Sequence, residues 1–176
     1  NADLRQEQNG EWRIEGDPTE AAFLVAEYKL GVTQRRERRF ERVAEFPFTS
    51  ERKMMSTLER DHEHDGAIVV IAKGAPDVLL DRCTRVRVGM DVVELDDTRR
   101  ARILADVDRL SDAALRTLAV AYRPLAANEA HDQSASLEHD LIFVGTVGMI
   151  DPPREEAVAA IAEAHRAGIR VIMITG

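Results

Sequence analysis

From Phe40 to Lys73 the chain reads as a run of strands, beginning with a period of two, and nothing else in it constrains the fold so strongly. Phe40, Ala44, Phe46 and Phe48 fall on one face of an expected strand, interrupted at Arg42, because successive side chains of an extended chain point to opposite sides. Pro47 lacks a backbone N–H, which puts this strand at a sheet edge or ends it there. Residues 53–60 read as its partner, DHEHDG as a turn, and residues 67–73 as a strand buried on both faces. Two of the three lysines, Lys53 and Lys73, stand in this stretch, in a chain of 24 Lys+Arg where every other cation but Lys29 is arginine. A lysine kept in so arginine-rich a composition points to a place where the guanidinium fork does not serve. Two lysine-tipped strands behind an aromatic residue make a wall for a flat anionic ligand such as a nucleotide.

Helical signals flank this stretch. In GDPTEAAFLVAEYKLG, Asp17 is placed to cap, Pro18 suits the first helical position and Glu20 completes a capping box. Ala22, Phe23, Ala26 and Leu30 follow at helical spacing, and Gly31 closes the helix. Residues 33–42 read as a short solvated helix, 75–83 as another, and 84–95 as a hairpin turning at Gly89-Met90-Asp91. Residues 97–115 form an amphipathic helix with Ile103, Val107, Leu110 and Leu115 inward. Residues 116–124 alternate, with Leu118, Val120 and Tyr122 on one face, and the polar residues 126–138 read as a flexible loop. Residues 141–150 are a strand, 154–167 a helix and 169–174 a buried strand. The expected fold is α+β: a twisted antiparallel sheet of about six or seven strands flanked by helices, then a partial α/β strand–helix–strand unit. The expected division is 1–139 and 140–176.

The net charge of −8 argues against a general nucleic-acid or membrane-surface role, since either needs a basic face. The single cysteine, Cys83, excludes an intramolecular disulfide and fits a reducing compartment. The longest apolar run, residues 141–150, is far short of the roughly 18 residues of a membrane span, and residues 1–10 have no signal-peptide core. The chain opens on Asn and closes on an apolar strand ending Thr-Gly, from which both ends are expected to be cut.

Neither the phosphate loop G-x-x-x-x-G-K-[ST] nor G-x-G-x-x-G is present. Taken singly, the candidate residues have two readings each. Phe48 is a core aromatic or a face for a purine. Lys73 is a snorkelling side chain or a cation in a partly dry cleft. Gly74 is a turn glycine or a place of close ligand approach, Glu20 a cap or a ligand contact, and Arg116 a surface charge or a phosphate partner. His62, Glu63, His64 and Asp65 read as a solvated hairpin tip and not a metal site, and the arginines of 35–42 as a solvated face. Cys83 has no nearby His in sequence, which speaks against a nucleophile.

Read together, GDPTEAAF (16–23), FPFTSERKMMS (46–56), KGAPD (73–77), ALRTLAVAYR (114–123) and DLIFVGTVGMIDPPREEAVAAI…AGIRVIMITG (140–176) resemble the P-type cation-transporting ATPases, in particular the group containing calcium pumps. The resemblance spans almost the whole chain. It implies a nucleotide-binding domain followed by part of a phosphorylation domain. Phe48 would then stack on adenine, Glu20 sit near its amino group, and Lys73 with Gly74 line the floor of the base and ribose pocket. Lys53 and Met55 would flank the nucleotide and Arg116 reach its phosphates. Asp151, Thr175 and Gly176 correspond to positions near the phosphoryl and Mg²⁺ site of the phosphorylation domain. Ser50 departs from the arginine that animal reticulum calcium pumps carry there, so a phosphate-side contact is missing and lower affinity is expected.

The family's phosphorylated aspartate lies in D-K-T-G-T, and that sequence is absent, as is G-D-G-x-N-D. The resemblance therefore implies a monomeric, soluble piece that binds ATP without turning it over and contains no catalytic or metal-binding residue of its own. Its partners would be ATP, with Mg²⁺ in the whole enzyme, and the phosphorylation, actuator and membrane domains of a pump lying in a cell membrane, with this piece on the cytoplasmic side. Two other readings stay open: a free-standing nucleotide-binding or regulatory module, and a soluble phosphatase or phosphotransferase sharing the phosphorylation-domain fold. Which cation is moved is not legible here.

Overall fold

The computed structural model describes residues 2–6, 12–16, 18–129, 134–150 and 155–174. In order, it forms β1 (Ala2–Gln6), β2 (Trp12–Gly16), α1 (Pro18–Leu30), α2 (Thr33–Arg39), β3 (Phe40–Thr49), β4 (Met54–Asp61), β5 (Ala67–Gly74), α3 (Pro76–Asp81), β6 (Cys83–Val88), β7 (Asp91–Glu94), α4 (Asp97–Asp112), β8 (Arg116–Pro124), a 3₁₀ turn at Ala135–Leu137, β9 (Leu141–Met149) and α5 (Glu155–Arg166). β1 and β2 pair as a hairpin beside α1. The other seven strands form one sheet in the order β3-β4-β5-β8-β9-β6-β7. Every pairing in it is antiparallel except β6 with β9. The fold is α+β, with the strand count the sequence implies.

The central strands divide their side chains cleanly. Met54, Ser56 and Leu58 of β4, Val70 and Ala72 of β5, and Ala119 and Ala121 of β8 lie buried on one face with Leu79, Leu80, Leu137, Leu141 and Phe143. Val78 of α3 and Ile103 of α4 pack against that core. The opposite face carries Met55, Thr57, Ile71, Lys73 and Val120, and α1 lies over it.

Helix ends follow local chemistry. α1 ends at Gly31 (φ +66°), where Gly31 N–H donates to Tyr28 O at 3.0 Å and Val32 N–H to Glu27 O at 3.1 Å. That is the Schellman pattern, which a residue without Cβ adopts at no steric cost. α4 starts at Asp96, whose carboxylate accepts from Arg99 N–H at 2.8 Å. The caps expected of Asp17 and Glu20 lie outside the described residues and side chains.

Three expectations are corrected. Phe40, Ala44, Phe46 and Phe48 do not share a face, because β3 is irregular between Arg42 and Ala44 and again between Phe46 and Thr49. Each extra residue turns the strand over, so Phe40 faces α1, Ala44 and Phe46 pack on the core, and Phe48 is left 59% exposed. Pro47 sits in the second bulge of an edge strand, where no ladder donor is required. Residues 126–138 are no loose loop where described: Leu137 and Glu138 are buried, and Arg123 binds both the Glu129 carboxylate at 2.9 Å and Leu137 O at 3.1 Å. Composition misread this segment because its few anchors are single residues. Finally, residues 169–174 form no strand and are exposed, Ile174 by 90%. A strand forms only against a neighbour that takes its backbone hydrogen bonds, and none of the described strands is paired with it. β9, by contrast, is a full member of the seven-stranded sheet, antiparallel to β8 from Arg116↔Met149 to Tyr122↔Ile142.

The β4–β5 turn is held by charge. Arg39 of α2 grips Asp61 with two hydrogen bonds of 2.9 and 2.6 Å, and Arg35 grips Glu63 at 2.9 and 2.8 Å. The hairpin tip and the arginine helix, each expected to be merely solvated, neutralise one another. The Arg39 hydrogen bonds, with help from His64 and the Glu63 amide, pull the Asp61 carboxyl down to about 2 from an ordinary 3.8. Because the folded value lies below the unfolded one, Asp61 contributes its stability above pH ~4 and loses it as pH falls toward 2. Thermal melts of the chain and its Asp61→Asn variant should therefore differ most above pH 4 and converge by about pH 2; a gap that does not close on acidification would contradict this.

Candidate functional site

On the face opposite the core, an open cleft of about 580 Å³ lies between α1 and the sheet. Its floor is set by register: Met55 pairs with Lys73 and Lys73 with Val120, while Thr57 pairs with Ile71. Cross-strand partners share a face, so these residues form two adjacent rows. Phe23 and Glu27 of α1 and Phe40 of β3 supply walls, with Arg36, Arg42 and Glu59. The Lys73 ammonium stands 5.4 Å from the centre of the Phe23 ring, within cation–π range.

The cleft joins apolar floor to polar wall. Glu27 Oε1 accepts from Arg36 at 2.6 Å, whereas its Oε2 is buried and takes no hydrogen bond among the described residues. Glu59 accepts from Arg42 at 3.2 Å. A lined recess with a cation, an open acceptor and aromatic walls suits a polar, partly aromatic small molecule.

Of the residues singled out in the sequence, Met55 and Lys73 line the cleft itself. Ser50 and Lys53 lie in the turn from β3 to β4, both exposed, with Phe48 just before it. Lys53 adopts a left-handed conformation (φ +51°), and its carbonyl accepts from Ala75 N–H at 3.0 Å, binding the turn to the end of β5. Gly74 is needed by the chain itself. A Cβ there would meet Met54 Cβ at 2.5 Å and Lys53 O at 2.7 Å. Arg116 opens β8, on the face of Leu118 and Val120 by alternation, and donates to Thr19 Oγ1 at 3.5 Å. Glu20 is in the first turn of α1. Asp151, Thr175 and Gly176 lie outside the described residues.

Phe23, Glu27, Phe40 and Val120 were not singled out. Val120 was legible: the alternation of β8 puts it beside Lys73 once the strands pair. Phe23 and Phe40 carried no such signal, since α1's apolar spacing and β3's period both read as core. Cys83 has no part in the cleft. It is buried, donates to Leu79 O at 3.1 Å, and burial pushes its thiol up to about 12.

The chain is thus an α+β domain: a mostly antiparallel seven-stranded sheet with a helix-walled cleft on one face. Residues 1–156 match the family described as P-type ATPase, cytoplasmic domain N, and the chain belongs to that family. It is 42% identical to calcium-transporting ATPase 1 of Lactococcus lactis over 167 residues, which are 94% of this chain and 19% of that protein. It is 41% identical to a calcium-transporting ATPase of Bacillus subtilis, over 97% of this chain and 19% of that protein. A probable cation-transporting ATPase F of Mycobacterium tuberculosis is 39% identical over 94% of this chain and 18% of its own length. The chain thus spans about a fifth of the length of these relatives. No helix among the described residues is long and apolar enough to cross a membrane.

Gly74→Ala should cost ~1–3 kcal/mol, as overpacking does, because the atoms it strikes are backbone and Cβ atoms that cannot swing away. Urea unfolding checks this, and an unchanged midpoint would show that the turn yields.

Proposed function

We propose that this chain is the ATP-binding part of a membrane pump that couples ATP hydrolysis, through an aspartyl phosphate, to cation transport, with calcium favoured by the names of its relatives. The observation that carries the reading is the Met55–Lys73–Val120 floor facing Phe23, in a cleft whose size falls in the ~300–1,000 Å³ range of ligand pockets. The residues present fit the nucleotide. Phe48, exposed in the second bulge of β3, offers a face for adenine, and base–aromatic stacking is worth ~1–3 kcal/mol. Lys73 supplies a cation to the floor, with Gly74 letting the Lys53 turn close against it. Lys53 and Met55 flank the nucleotide, Glu20 sits near the adenine amino group, and Ser50 leaves the phosphate side short of one cation. The open acceptor of Glu27 suits a donor group on the ligand. Arg116 reaches toward the phosphates, and Mg²⁺ enters with them in the whole enzyme.

ATP supplies the transferable phosphoryl group; this chain's residues bind and orient it, which is where most of the catalytic work of phosphoryl transfer lies. The acceptor sequence D-K-T-G-T is absent, so the chain by itself binds without turnover. We place the start of a second, phosphorylation unit after β9 and not at residue 140, since β9 is hydrogen-bonded into the sheet while α5 is exposed along nearly all its length. Asp151, Thr175 and Gly176 belong to that second unit. The actuator and membrane domains of the same pump are the further partners, and this part faces the cytoplasm.

Titration of the chain with ATP, followed by NMR, tests the reading. Saturable binding is expected, weakened about tenfold or more by Phe48→Ala and about tenfold by Lys73→Ala, as for loss of a charge-assisted bond. Undiminished binding in both variants would overturn it.

A further inference from the structure

Besides Asp61, a second buried carboxylate lies outside the cleft. Glu138, 2% exposed, comes three residues before β9. Its Oε1 accepts from Arg52 at 2.5 Å and from Ser56 Oγ at 2.6 Å. Arg82 donates to its backbone oxygen at 3.1 Å and stands 3.8 Å from Oε2. Arg52 belongs to the turn that carries Ser50 and Lys53, and Ser56 to the core face of β4.

The turn has few other ties. Its backbone bonds are local, Arg52 N–H to Thr49 Oγ1 at 3.2 Å and Lys53 N–H to Thr49 O at 2.8 Å, apart from the Lys53–Ala75 link. Arg52 Nε is buried with no partner among the described residues, and the guanidinium donates through its other nitrogen to Glu138. A charge-assisted bond this short fixes distance as well as adding attraction.

We propose that Glu138 is a positioning residue for nucleotide binding: through Arg52 it sets the 49–53 turn, and with it the Lys53 cation, against the phosphate-bearing half of the ligand. It rests on the nucleotide reading above. Glu138 touches no ligand. Its effect falls on phosphate recognition because Lys53 is the exposed cation of the turn, beside the anion Glu51, while Phe48 lies in the β3 bulge before it. The same carboxylate ties the turn to the entry of β9, so turn and strand shift together.

The test compares ATP with adenosine by NMR titration of the whole chain, in Glu138→Gln and Arg52→Gln. Arg52 is a quarter exposed, and its replacement leaves Glu138 with Ser56 and Arg82, so this variant keeps the test open if Glu138→Gln does not fold. Each substitution should weaken ATP by about three- to tenfold and leave adenosine within about twofold, and the double variant should be no weaker than either single one. Equal losses for ATP and adenosine would reduce Glu138 to a structural prop and overturn the proposal, as would unchanged ATP binding in Arg52→Gln. If the unsubstituted chain binds neither ligand, the nucleotide reading itself fails and takes this proposal with it.

Discussion

The register between β4 and β5, unbroken from Met54↔Gly74 to Asp61↔Ala67, is the constraint on which the rest of the molecule depends. Along these eight pairs, alternate residues serve two different purposes. Met54, Ser56, Leu58, Val70 and Ala72 close the core, while Met55, Thr57, Ile71 and Lys73 make the cleft. Since the side-chain period of a strand is two, a slip of β5 by one residue would bury Lys73 and expose Val70. Both ends of the pair resist that slip. At one end Gly74 lets Met54 and the Lys53 carbonyl approach more closely than any side chain permits. At the other, Gly66 (φ +72°) completes a turn whose amides bond back to the Asp61 carbonyl and carboxylate.

Charge then fastens the elements that burial alone would leave loose. α2 has no buried residue, yet two arginines tie it to the β4–β5 turn. The segment before β9 is polar, yet Glu138 and Arg123 draw it into the core through arginine, serine and backbone partners. Exposed pairs of this kind add little stability, whereas breaking a buried one leaves a charge stranded in low dielectric. The Arg52–Glu138 pair is of the second kind. It stands where the proposed ligand contacts meet the strand that leads out of the sheet.

Much of this was legible beforehand, and the failures have identifiable causes. The alternation of β8, the helix ends at Gly31 and Asp96, and the edge placement of Pro47 are local properties, so pattern reading found the first, Gly31 and Pro47. Phe40 and Phe46 read alike because both obey the period of two. Their separation came from bulges, which leave no mark in composition and shift the register by an amount only the partner strand defines. Residues 169–174 read as a buried strand from their apolar run, but a run of apolar residues states a need for a neighbour without providing one. Lys73 stood out in the sequence and Met55 through the family resemblance; Phe23, Glu27 and Val120 join them by way of pairing and helix packing.

The sequence by itself determined most of the extended and helical segments, though not the fate of residues 169–174, together with the membership of the P-type ATPase family and the residue types available to meet an anionic, aromatic ligand. Local sterics and side-chain periodicity act within a few residues, so those properties are written in the order of the chain. Tertiary structure alone decided which face of each strand became cleft and which became core, that Gly74 serves the chain's own close packing, and that Glu138 reaches across 86 residues to hold Arg52. Those outcomes depend on register, bulges and burial, which exist only once distant segments are in contact.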